Sequence, residues 1–115
     1  MKKVAMFVFN GSPMCFVHVL LNALDMHDRG DTVQIVMEGE STRLVAELSQ
    51  PDNWLNGLWQ KALAQKLVTG ACKACAQKLG ARQNIEDKGL ALLDDMNGHP
   101  GMAAFREDGY EIITF

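Results

Sequence analysis

Cys72 and Cys75 stand in the sequence Cys72-Lys73-Ala74-Cys75, a spacing that puts two thiols on one face of a helix. Such a pair can form a reversible disulfide, offer a nucleophilic sulfur or supply half of a zinc site. Cys72 follows an apolar run and opens a helix-compatible stretch, where free backbone N–H groups and the helix dipole favour a thiolate and lower the pKa. A thiolate there attacks sulfur or carbon electrophiles, or holds an extra sulfur atom as a persulfide. The competing explanation is a small apolar side chain that packs the end of a strand. Cys75, in turn, is either a resolving thiol or a liability that discharges sulfur held on Cys72.

A zinc site on this pair needs two further ligands. Cys15 with His18, at i, i+3 spacing, are the candidates, but four ligands divided between two loops differ from compact zinc modules, so neither a metal nor a cofactor is assigned. A thioredoxin-like role fits the order of elements badly. Its motif follows an early strand and faces a later proline before a strand, whereas here the motif follows a third strand and Pro100 precedes a short helix. Cys15 shares the helix-start argument made for Cys72, although Phe16 and Val17 crowd it with apolar neighbours. His18 could act as a base towards a cysteine one turn earlier, although a surface or core histidine is the favoured reading. His99 belongs to a turn that can border the same region, which the sequence leaves open, and His27 reads as a solvated side chain. Asn10, Gly11 and Ser12 suit either a tight turn or an anion cradle.

These residues need elements to hold them. Val4 to Phe9 is continuously apolar, as in a strand buried on both faces, and Asn10-Gly11-Ser12-Pro13 ends it with a turn, an N-cap and a first-turn proline. Phe16, Val17, Leu20, Leu21 and Leu24 recur at helical spacing as far as Arg29-Gly30. Thr32 to Met37 reads as a second strand, left by the loop Glu38 to Ser41. Thr42 to Ser49 is a short amphipathic stretch. Asp52 to about Gln65 is a longer one, with Trp54, Leu55, Leu58, Trp59, Ala62 and Leu63 on one side, one tryptophan being expected to stay exposed. Leu67 to Thr69 is a third strand, ended by Gly70-Ala71 and followed by a helix from Cys72 to Gly80. Helices are expected over Ile85 to Met96 and Pro100 to Arg106, and a last strand over Tyr110 to Thr114.

Alternating strands and helices predict one three-layer α/β domain over residues 1–115 with a mainly parallel sheet. In such sheets ligands bind beyond the carboxyl ends of the strands. Asn10 to Cys15 and Gly70 to Cys75 are the two loops expected there, which would gather Cys15, Cys72 and Cys75 on one rim with Asn10, Gly11, Ser12, Gly70 and Ala71.

The composition agrees with a packed domain, since 48% of its 115 residues are hydrophobic and 22% charged. Eleven basic against fourteen acidic residues give a net charge of −3, which argues against nucleic acid or an anionic membrane as partner. No apolar run approaches the length of a bilayer span, and the six-residue run after Lys2-Lys3 lacks a cleavage site. Three cysteines, an odd number, argue against a disulfide framework and for free thiols in the cytoplasm.

The third strand, then Cys72, then a helix whose glycine, Gly80, lies eight residues further on resembles the DsrE/DsrF-like family of sulfur-relay proteins. The opening strand, polar turn and Phe16-containing helix ending at Asp28-Arg29-Gly30 are similar to that family's start. The resemblance implies a flavodoxin-like fold, a homo- or hetero-oligomer, and transfer of sulfane sulfur from a donor protein to an acceptor protein through a persulfide on Cys72. Cys75 lies outside the family's minimal pattern. The alternative is a non-catalytic oligomeric module that binds a small ligand or a protein at the strand-end rim.

Overall fold

Five parallel strands form one sheet in the order β4-β3-β2-β1-β5, and the computed structural model describes residues 1–115. The elements are β1 (Lys3–Val8), α1 (Pro13–Asp28), β2 (Thr32–Met37), a 3-10 turn at Gly39–Arg43, α2 (Leu44–Leu48), α3 (Asn56–Ala64), β3 (Val68–Cys72), α4 (Lys73–Lys78), α5 (Arg82–Asp87), β4 (Ala91–Leu93), α6 (Met102–Glu107) and β5 (Glu111–Thr114). The architecture is the expected flavodoxin-like three-layer α/β arrangement, with a strand order other than the doubly wound 2-1-3-4-5.

That order explains why the two faces of the sheet are unequally covered. From β1 to β4 each crossover steps the same way, so right-handed connections put α1 to α5 on one face, while the reverse step from β4 to β5 sends α6 to the other. The main core accordingly joins Val4, Met6, Val8, Val33, Ile35 and Met37 to Phe16, Leu20, Trp59 and Ile85. Trp59 is fully buried with its ring edge on Phe16, centroids 6.1 Å apart. The smaller core on the other face sets Ala5, Phe7 and Val36 against Phe105 and Tyr110. There Gln34 donates to the Tyr110 hydroxyl at 2.8 Å and accepts from Thr69 at 2.7 Å.

Three expectations need correction. The helix predicted over Ile85 to Met96 is instead α5, a turn at Gly89 and the short strand β4. Leu90 to Leu93 suits a helix face as well as a strand, and pairing with β3 decides between them. The helix predicted from Asp52 begins at Asn56. The Asn53 carboxamide oxygen accepts from the Leu55 N–H at 2.8 Å, holding a turn before the helix and leaving Trp54 61% exposed. Finally, Gly70 and Ala71 do not end the third strand, which runs through Cys72 directly into α4. No helix is long and apolar enough to cross a membrane.

Candidate functional site

Because all strands run the same way, the residues that leave β1, β2, β3 and β4 meet along one edge of the sheet. Cys72 is the last residue of β3 and the N-cap of α4, and its Sγ accepts the Cys75 N–H at 3.3 Å. Glu38 is the first residue past β2. It is held there by its own N–H to the Val8 carbonyl at 2.8 Å and by buried Ser41, whose hydroxyl donates to the Val8 and Glu38 carbonyls at 2.7 and 2.9 Å.

His99 arrives on a two-residue hairpin after β4. Met96 and His99 exchange backbone hydrogen bonds of 2.7 and 3.0 Å, with Asn97 and Gly98 at φ +50° and +86° between them. Two consecutive left-handed residues make a type I′ turn, for which Asn-Gly is the favoured pair. The Ala74 N–H donates to the Gly98 carbonyl at 2.8 Å and so locks this hairpin onto the start of α4. The Gly101 N–H, bonded to the Asp95 carboxylate at 3.2 Å, closes the other side.

The result brings His99 Nδ1 to 3.1 Å from the Cys72 Sγ and 3.8 Å from the Cys75 Sγ. Glu38 joins them, and ligand-capable atoms of Glu38, Cys72, Cys75 and His99 all lie within 4.8 Å of one another. Cys72 is fully buried and Glu38 is 7% exposed, whereas Cys75 and His99 are half-buried. A cavity of about 380 Å³ opens against Glu38 and His99, walled by Phe9, Met96, Pro100 and Met102.

The electrostatics differ from the expected acidic thiol. Burial pushes the Cys72 pKa up to about 12, helped by the neighbouring Cys75 thiol and opposed by the Cys75 N–H. With six residues, α4 offers little dipole to offset that desolvation. Cys72 in the metal-free protein is therefore a thiol at neutral pH. Burial likewise raises the Glu38 pKa, against the pull of His99.

Of the rim residues expected from sequence, Cys72 and Cys75 come together and the others do not join them. Cys15 is a free, half-buried thiol in the first turn of α1, outside the cluster. His18 is exposed and His27 half-buried. Asn10 accepts the Ser12 N–H at 2.7 Å, and Gly11 packs directly on Glu40, so this turn joins two strand exits. Gly70 and Ala71 are buried inside β3, where a Cβ at Gly70 would stand 2.5 Å from the Ala91 carbonyl oxygen. Their role is strand packing. Glu38 went unnoticed in the sequence, where its position at the exit of an apolar strand was the available signal.

No family model matches the chain. The uncharacterized protein MJ0733 of Methanocaldococcus jannaschii is 31% identical over 97 residues, 84% of this chain and 77% of that protein. An uncharacterized protein of Archaeoglobus fulgidus is 37% identical over 41 residues, 36% of this chain and 67% of that one. Among solved structures, the conserved protein of unknown function BT1422 of Bacteroides thetaiotaomicron aligns at a TM-score of 0.71 with 18% identity, covering 99% of this chain and 95% of that chain, a likeness of fold.

Proposed function

This chain belongs to the family of the Methanocaldococcus jannaschii protein MJ0733, and we propose that it carries sulfane sulfur, as its resemblance to DsrE/DsrF-like proteins implies for Cys72, but with Cys75 rather than Cys72 as the carrier. The observation that supports this reading is the convergence of two thiols on one imidazole nitrogen, Cys72 at 3.1 Å and Cys75 at 3.8 Å, at the carboxyl edge of a parallel sheet. Full burial of Cys72 favours the half-buried Cys75 as the point of uptake.

In that step His99 takes the Cys75 proton and the thiolate attacks the outer sulfur of a donor persulfide. The donor S–S bond breaks as the new one to Cys75 forms. The donor leaves as a thiolate and receives the proton from His99, so the sulfane sulfur moves without net oxidation. An acceptor thiolate later attacks the outer sulfur of the Cys75 persulfide in the same way. Attack by Cys72 on Cys75 Sγ would instead expel sulfide and form a disulfide. A Cys72 thiol that keeps its proton up to a pH of about 12 holds that loss in check.

Donor and acceptor proteins are then the partners, together with other copies of this chain. Intact-mass analysis of reduced, chelator-treated protein after incubation with inorganic polysulfide tests the reading. One added sulfur atom on the wild type, lost in Cys75→Ser, is expected. A wild type that gains none contradicts it.

A further inference from the structure

Glu38 is 7% exposed as a residue and borders the cavity, and burial disfavours its charge against the pull of His99, with no hydrogen bond contributing. It faces the two thiols and the imidazole of His99. We infer that Glu38, Cys72, Cys75 and His99 form a binding site for a thiophilic divalent metal ion of the zinc class.

The donor set selects the metal. Two thiolates and an imidazole disfavour the hard ions magnesium and calcium, and a mixed sulfur, nitrogen and oxygen set of four matches tetrahedral zinc. The geometry is close to what such an ion requires. Bonds of roughly 2.3 Å to sulfur and 2.1 Å to nitrogen at the tetrahedral angle give a sulfur-to-nitrogen edge of about 3.6 Å. The two edges here are 3.1 and 3.8 Å. No donor pair exceeds 4.8 Å, so side-chain adjustments of about 1 Å close the shell without backbone movement.

Its surroundings suit an ion as well. The Cys75 N–H already points at the Cys72 sulfur, as an outer-shell donor to a bound thiolate does. The hairpin that carries His99 is fixed to α4 through Ala74 and Gly98, so three of the four ligands sit on one rigid unit. The cavity beside Glu38 and His99 gives an ion a route from solvent. A divalent charge also offsets the cost of placing two thiolates and a carboxylate together at a partly buried edge.

This inference stands apart from the sulfur-carrier reading, because it needs Glu38 and His99 as ligands and no sulfur donor. The two are linked only in that a bound ion occupies both thiols.

Titration of reduced, metal-free protein with Co²⁺, followed by displacement with Zn²⁺, tests it. One Co²⁺ per chain is expected, with thiolate-to-cobalt charge transfer and the intense visible bands of a tetrahedral ion, all abolished by Zn²⁺. His99→Ala and Glu38→Gln, checked for folding by circular dichroism, should each weaken binding at least about tenfold. Where a variant fails to fold, the wild-type spectrum decides alone. Absence of charge transfer, weak octahedral bands, or affinity unchanged in folded His99→Ala overturns the inference. Sulfur uptake is measured separately on the metal-free protein, so failure of one reading leaves the other intact.

Discussion

The Cys72 sulfur lies 3.1 Å from Nδ1 of His99, although 27 residues separate the two in sequence. The contact spans two adjacent parallel strands: Cys72 ends β3, and His99 hangs from the hairpin that follows β4. The proton transfer, sulfur uptake and metal ligation proposed for this edge all require that hairpin to stay in place.

The two cysteines should differ sharply in reactivity. In reduced, metal-free protein at neutral pH, iodoacetamide should label Cys75 at least ten times faster than Cys72, since only a thiolate reacts at speed and Cys72 is both sealed and held protonated. The folded pKa of Cys72 is raised, so its labelling should stay slow through pH 9 and accelerate only towards about 12. Equal rates at neutral pH, read by peptide mapping, would remove the assigned asymmetry.

His99→Ala should slow sulfur uptake from polysulfide by roughly 100-fold at neutral pH, the usual worth of a positioned base. The deficit should shrink at a pH of about 10, where thiols ionise unaided. A deficit that does not vary with pH would identify His99 as packing rather than as a base.

Gly98→Ala probes the hairpin. Gly98 sits at φ +86°, and an added Cβ meets the Ala74 Cβ at 3.3 Å. A loss of about 1–3 kcal/mol in urea unfolding is expected from the left-handed backbone, along with weaker Co²⁺ binding as His99 is displaced. Wild-type stability together with wild-type cobalt affinity would show that the turn does not position the histidine.

The two tryptophans should separate cleanly in stability. Trp59→Ala removes a fully buried side chain and should cost about 3–5 kcal/mol, whereas 61% exposed Trp54 should tolerate alanine to within about 0.5 kcal/mol. Chemical denaturation of both variants checks this, and a large loss at Trp54 would point to a contact outside the monomer.

Much of the frame was legible because it is local. The apolar run of β1, the turn with Pro13, the helical spacing of Phe16 and Leu20, and the strands β2 and β5 each follow from a few neighbouring residues. The cysteine pair was legible for the same reason. The region after Ile85 was not: its leucines fit either period, and only pairing with β3 makes Ala91–Leu93 a strand. Glu38 and His99 became site residues only through the order in which strands pair. The acidity expected of Cys72 failed because a sequence shows where a helix begins but not how deeply its first residue is buried.

The most direct measurement locates the added sulfur after polysulfide treatment of metal-free protein. Cleavage after Lys66, Lys73 and Lys78 places Cys72 in residues 67–73 and Cys75 in residues 74–78, so mass spectrometry of the unreduced digest distinguishes them. The expected result is the mass of one sulfur on residues 74–78, blocked when Zn²⁺ is bound before the donor is added. Sulfur confined to residues 67–73, or found on neither fragment, contradicts the account.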